Sequence, residues 1–199
     1  MSVQVVSPPP VPSAPNGRVE ILEQMPSSTA DAFLGIYRAS FEPLMTKSPA
    51  RQWLTDDEFL HEMDDPKVLK FAAYAHDSEE IVALALLSSD LSTMPWISEP
   101  YFAQRFPDHH ARKAIFYFGS LLVRPERQGG PWAKYLLEHL IHFVGEHDGI
   151  AAFDCCGFNV DTMALPDLIE RACRPLIHVD MQELDRQTYY AGVFLGFKA

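Results

Sequence analysis

One stretch of the chain gathers what an anion-binding site needs. Leu121-Leu122-Val123 closes an apolar run, Arg124-Pro125-Glu126-Arg127-Gln128-Gly129-Gly130 is polar, and Pro131-Trp132-Ala133 opens an amphipathic segment. A buried strand that feeds a helix through such a loop aims several backbone N–H groups, and the positive end of the helix dipole, into one concavity. Phosphate binds in such places. Gly129 and Gly130 let the backbone approach an anion closely. Arg124, Arg127 and Lys134 add positive charge in a chain whose formal net charge is -11.

Groups able to move a proton lie on either side of this stretch. Tyr117 sits in the run that leads into it. Asp154 follows the apolar residues from Ile150 onward. It is either a buried base, its pKa raised by desolvation, or a carboxylate in water at the open end of a strand. His109 and His110 fall in a long irregular segment and are further candidates. His139 and His142 do not make a metal site: the first lies on an apolar helix face, and the helix holds no His-Glu-x-x-His pattern. Cys155 and Cys156 are neighbours in an expected strand, so their side chains point to opposite faces and do not converge on one ion. No metal is expected.

The elements that must hold these groups follow from periodicity. Trp132, Tyr135, Leu136, His139, Leu140, Phe143 and Val144 recur at offsets of three and four and predict a helix over Pro131–Gly145. Pro131 suits the first turn, where a missing N–H costs nothing. Strands are expected over Val19–Gln24, Val68–His76, Glu80–Leu87, Ala114–Val123, Ile150–Phe158, Leu176–Met181 and Thr188–Phe194, the second and third as a hairpin. Ser27 or Ser28 is placed to cap a helix through about Leu44. Thr55-Asp56-Asp57-Glu58 has the pattern of a capping box, with a helix to about Met63. Residues 88–113 read as a long loop with at most one helical turn, and a helix is expected around Pro166–Ala172.

Composition narrows the class. The 199 residues suffice for one domain with a sizeable core, and 47% are hydrophobic. Residues 1–17 carry Ser7-Pro8-Pro9-Pro10 and read as a proline-rich tail without core contacts, leaving 18–199 as the domain. The acidic balance shows no basic stripe, so neither nucleic acid nor an anionic membrane is an expected partner. Three cysteines do not make a disulfide framework, and no apolar run reaches membrane-spanning length. The cytoplasm is the expected compartment.

Together these features resemble the GCN5-related N-acetyltransferase family. The family binds pyrophosphate with Gln or Arg, two residues, Gly, one residue, then Gly or Ala, after a strand ending in an apolar pair and Val, often followed by Arg-Pro-Glu. Here Leu122-Val123-Arg124-Pro125-Glu126 precedes Gln128-Gly129-Gly130-Pro131-Trp132-Ala133. Gln128 and Ala133 match, and Pro131 stands where the family has its central Gly. The expected element order also matches, over residues 19–197. The resemblance implies an α/β (α+β) fold of the acyl-CoA N-acyltransferase type, a single domain with a mixed, mostly antiparallel sheet flanked by helices. It implies acetyl-CoA or another acyl-CoA as co-substrate, held by Arg124, Arg127, Gln128, Gly129, Gly130, Trp132, Ala133 and Asn159. Backbone groups at Leu122 and Val123 would polarise the thioester carbonyl. The acceptor would be an amine of a small molecule or peptide, and a homodimer is compatible with the fold.

Two family features are missing. The helix tyrosine that protonates the departing thiolate is replaced by Leu168 or Ile169. The strand carboxylate has no counterpart in Tyr117-Phe118-Gly119-Ser120. Asp154 and Tyr117 are therefore the candidates for proton transfer. Two other readings stand beside the acetyltransferase one. A synthase similar to N-acyl amino acid or acyl-homoserine lactone synthases would use a longer donor, lined by Ile115–Phe118 and the loop Trp96–Phe106. A non-catalytic acyl-CoA-binding sensor would need neither missing group.

Overall fold

Among the residues described by the computed structural model, 17–76 and 79–193, five strands form one sheet in chain order. They are β1 (Gly17–Leu22), β2 (Leu69–Ala75), β3 (Ile81–Ser88), β4 (Ile115–Val123) and β5 (Ile150–Ala152). The first four pair antiparallel, and β5 joins β4 in parallel. β2 and β3 are central because their residues are buried on both faces, which suits near-continuous apolar runs. The sheet is thus mixed and mostly antiparallel, as expected.

Helices cover both faces. The first face carries α1 (Ser27–Phe41) and α2 (Asp56–Asp64), whose Phe33, Tyr37, Phe59 and Met63 pack on Leu84, Leu86 and Leu122. α2 begins as the sequence foretells: the Thr55 hydroxyl accepts from the Glu58 N–H, and the Glu58 carboxylate accepts from the Thr55 N–H. α1 does not begin on a serine cap. Pro26 occupies that position, and no side chain caps the helix. The helix ends at Phe41 and tightens into a 3₁₀ turn over Glu42–Thr46.

Three expectations are corrected. Residues 88–113 are not a loop with one turn: they hold α3 (Glu99–Arg105) and α4 (Pro107–Ala111). Ser98 caps α3 by accepting from the Tyr101 N–H, and a proline opens each helix, where it is tolerated. The strand from Ile150 ends at Ala152 rather than Phe158, so Cys155 and Cys156 lie in irregular chain. Residues 176–193 form no strand, and Phe194, the end of the second expected one, lies outside the described residues. The other helices match their expectations: α5 (Trp132–Glu146) packs on the second face through Trp132, Tyr135, Leu136 and Leu140, and α6 (Leu165–Cys173) follows β5. The expected tail lies outside the described residues except Gly17, which opens β1 and whose carbonyl accepts from the Tyr135 hydroxyl.

A buried lysine and a half-buried glutamate make stability depend on pH. The Lys70 ammonium is fully buried and donates to the carbonyls of Glu23 and Asp65 at 2.8 and 2.6 Å. Burial pushes its pKa down to about 8, against the pull of neighbouring acids. Burial pushes Glu62 up to about 7, against the pull of Lys70. Between pH 4.5 and 7 the folded chain keeps the Glu62 proton longer than the unfolded chain, so this group's contribution falls as pH rises. Between pH 8 and 10.5 the unfolded chain keeps the Lys70 proton longer, so its contribution rises with pH. Denaturant midpoints across pH should show a trough between about 7 and 8 from this pair. Glu62→Gln should remove the acid side of the trough. A wild-type-minus-variant difference that stays flat over the acid side would refute the assignment.

Candidate active site

The cleft arises where β4 and β5 part. Their register is Ile115↔Ile150, Phe116↔Ala151 and Tyr117↔Ala152, and pairing stops there. From Phe118 to Val123 the β5-facing edge of β4 has no ladder partner among the described residues, so its outward N–H groups face the gap. A bulge sits at the parting. Leu87 opposes Phe118 and Ala85 opposes Leu121, so β4 spends one residue more than β3 over this interval. The bulge reverses the side-chain alternation. Phe116 lies on the α5 face, as do Leu121 and Val123, whereas Leu122 lies under α1.

Tyr117 stands at the last paired position. Its ring is buried against Ile115, Ala152 and Phe102, the last in an edge-on contact with centroids 6.4 Å apart. Its hydroxyl donates to Asp154 Oδ1 at 2.7 Å. The two proton-transfer candidates of the sequence are thus brought together. Asp154 itself is exposed, two residues past the end of β5, which settles its placement in favour of the open strand end. Burial first, then the Asp154 charge and the hydrogen bond to it, push the Tyr117 pKa far above its ordinary value, while the neighbouring Trp96 indole works the other way. Tyr117 therefore stays a protonated donor. The Cys155 thiol is pushed up to about 11, chiefly by burial and next by Asp154. It remains a thiol at neutral pH and is a poor nucleophile.

The motif loop forms the far end of the same gap. The first helical bond of α5 runs from the Tyr135 N–H to the Pro131 carbonyl. The N–H groups of Trp132, Ala133 and Lys134 are therefore left at the helix mouth. Pro131 contributes none. Gly129 takes the left-handed region at φ 73°, which carries the loop around the helix start. The Gln128 side-chain amide donates to the Val123 carbonyl at 3.2 Å and ties the loop to the end of β4. Gly130, Ala133 and Arg127 are exposed there.

Other expected site residues are placed differently. The Arg124 guanidinium donates to the Ile81 carbonyl at 2.7 Å, pairs with Glu80 at 3.1 Å and lies 5.4 Å from the Phe33 ring centroid. It faces α1, not the loop, whereas Arg127 is exposed in the turn Pro125–Arg127 within the loop. The Trp132 ring is buried beside Tyr135, leaving its backbone N–H as its contribution to the loop. Asn159 lies in a π turn over Phe158–Thr162, not at a strand end. His110 pairs with Glu99 at 2.9 Å, near the start of β4 rather than at the gap. One contact has no signal in the sequence: the Lys47 ammonium, after the turn that extends α1, lies 4.1 Å from the Phe158 ring centroid. Those residues are too far apart in the chain for any periodicity to link them. Among the described residues, no group of three or more His, Cys, Asp or Glu side chains is arranged to hold a metal ion.

No protein-family model matches the sequence, and no curated protein does. Solved structures do. A possible acetyltransferase from Clostridium difficile 630 superposes with a TM-score of 0.52 at 15% identity, over 88% of this chain and 98% of that one. The chain has the GCN5-related N-acetyltransferase fold. Further N-acetyltransferase-fold structures resemble it less in shape. A predicted acetyltransferase from Clostridium acetobutylicum, solved with acetyl-CoA, has a TM-score of 0.48 at 12% identity, over 86% of this chain and 96% of that one. A ribosomal-protein-alanine N-acetyltransferase from Brucella melitensis has 0.47 at 14% identity, over 86% and 99%. Among the described residues no helix is long and apolar enough to cross a membrane.

Proposed function

We propose that the chain transfers an acetyl or other acyl group from acyl-CoA to an amine. The observation that carries this reading is the gap itself. β4 and β5 part at a hydrogen-bonded Tyr117–Asp154 pair, and the uncapped start of α5 lies at the end of the same strand. A long, polyanionic thioester fits that layout. The N–H groups of Trp132, Ala133 and Lys134, with Arg127, would hold the pyrophosphate. The free N–H groups on the edge of β4 would accept the thioester carbonyl and strengthen as its oxygen gains charge.

Tyr117 and Asp154 would handle the proton. As the amine nitrogen bonds to the acyl carbon and the carbon–sulfur bond breaks, Asp154 takes the amine proton. Tyr117 gives its hydroxyl proton to the departing sulfur and regains one from Asp154. The net transfer is one proton from nitrogen to sulfur, and the pair returns to its starting state. The pair takes the places of both missing family groups. Positioning of the amine against the thioester supplies much of the remaining rate.

Calorimetry with acetyl-CoA tests the first half. Binding is expected, and Gly129→Val should weaken it about tenfold or more, because a β-branched residue is strained at a positive φ and reshapes the loop. No heat at millimolar ligand would remove both this reading and the sensor reading. A thiol-release assay with a panel of amines then separates an enzyme from a sensor.

A further inference from the structure

Beyond the acyl donor, the gap carries a feature that bears on the acceptor. Lys47 follows the 3₁₀ turn Glu42–Thr46, in the layer of α1 and α2. Its exposed ammonium reaches the ring of Phe158, in the turn that follows β5. The contact joins the chain that follows α1 to the chain that continues past β5. Phe158 comes four residues after Asp154, so their Cα atoms are at most ~14 Å apart. The ring that Lys47 touches is thus carried by the same short stretch of chain that carries the Asp154 carboxylate.

The remaining charges explain why Lys47 is notable. Lysine ion pairs among the described residues belong to Lys67 and Lys134. Arg38 and Arg51, in the same layer, are committed to Asp56 and Glu58. Lys47 instead rests on an aromatic face, an exposed and weak contact that an anion can outcompete. In a chain of net charge -11, an ammonium without a carboxylate partner among the described residues makes a local site for negative charge.

We propose that Lys47 anchors a carboxylate on the acceptor, so that the preferred acceptor is an amino acid rather than a plain amine. Asp154 faces the acceptor's amino group and Lys47 its carboxylate, with the Phe158 ring beside the carbon between them. The two opposite charges fix the direction in which the acceptor enters. The inference rests on the reading that this gap takes an amine acceptor.

The test uses matched pairs: phenylalanine beside phenethylamine, and leucine beside isoamylamine, each with acetyl-CoA and the full chain. For the wild type, kcat/KM should favour the amino acid by about tenfold or more. Lys47→Met should raise KM for the amino acids about tenfold and leave the plain amines nearly unchanged, and Lys47→Arg should restore most of the preference. Equal wild-type rates within a pair, or a Lys47→Met loss shared equally by both members, would overturn the inference. Calorimetric binding of the same compounds to the CoA-saturated protein gives a second readout that needs no turnover. Amino acid binding that weakens in Lys47→Met, in a protein that releases no thiol, would sustain this inference and sink the transferase reading. Thiol release that is blind to Lys47 would do the reverse.

Discussion

Asp154→Asn should lower turnover by roughly 10²-fold or more while changing acyl-CoA affinity little. Asparagine keeps the shape and still accepts the Tyr117 hydroxyl bond, seen at 2.7 Å, but it cannot take the amine proton. Tyr117→Phe removes the donor to sulfur and leaves the carboxylate without its partner, so it should also cost more than tenfold. The two groups act as a unit, so the double variant should be barely worse than the poorer single variant. Independent, multiplying losses would show that the pair is not one relay. Unchanged turnover in both single variants would mean that catalysis rests on positioning an already neutral amine. The pH–rate profile would then follow only the pKa of that amine. Since burial and Asp154 hold Tyr117 protonated, no alkaline loss assigned to Tyr117 ionisation is expected near neutral pH. Alkylating reagents should act slowly on Cys155, whose thiol is pushed up to about 11.

The legible parts of the fold were those written in local chemistry. The Thr55–Glu58 capping box, the central apolar hairpin and the amphipathic face of α5 need only neighbouring residues to be recognised. The motif loop belongs with them, since a strand, a glycine pair and a helix start are consecutive. What escaped depends on partners elsewhere in the chain. The largely apolar run Ile150–Phe158 reads as one strand, yet from Phe153 onward it has no ladder with β4, which carries a bulge between its pairs with Leu87 and Ala85. The segments around Ile177 and Tyr190 alternate like strands, but alternation provides no partner. α3 and α4 span seven and five residues, too few for a helical period to show, although Ser98-Glu99-Pro100 is a helix start.

The candidate site divides along the same line. Tyr117 and Asp154 were found separately by residue type, and only the register of β4 against β5 makes them a pair. Arg124 adjoins the loop in sequence, which suggests a phosphate ligand. A strand's alternation turns it instead toward Ile81 and Glu80. Lys47 and Phe158 carry no pattern at all, since their contact joins two segments more than a hundred residues apart.

The register that makes the gap has its own sensitive point, Gly149. It connects α5 to β5, and its N–H donates to the Val144 carbonyl at 2.9 Å. A Cβ added there would lie 2.8 Å from Phe116 Cε2 and 3.1 Å from the Ala114 carbonyl oxygen. Neither neighbour can give way easily. The Phe116 ring is buried and packed edge-on against Phe143 and His147, and the Ala114 carbonyl already accepts the Ile150 N–H at 2.8 Å. Gly149→Val must therefore push β5 away from β4 or distort the ring cluster, at a cost of about 2–3 kcal/mol or more. A fall of several degrees in Tm is expected. The second consequence separates this variant from an ordinary destabilised one. Displacing Ile150–Ala152 shifts Asp154, so folded Gly149→Val protein at low temperature should lose turnover more than acyl-CoA binding, because the motif loop is built on β4 and α5 alone. Unaltered turnover in the folded variant would show that the parting of β4 from β5 does not set the position of Asp154.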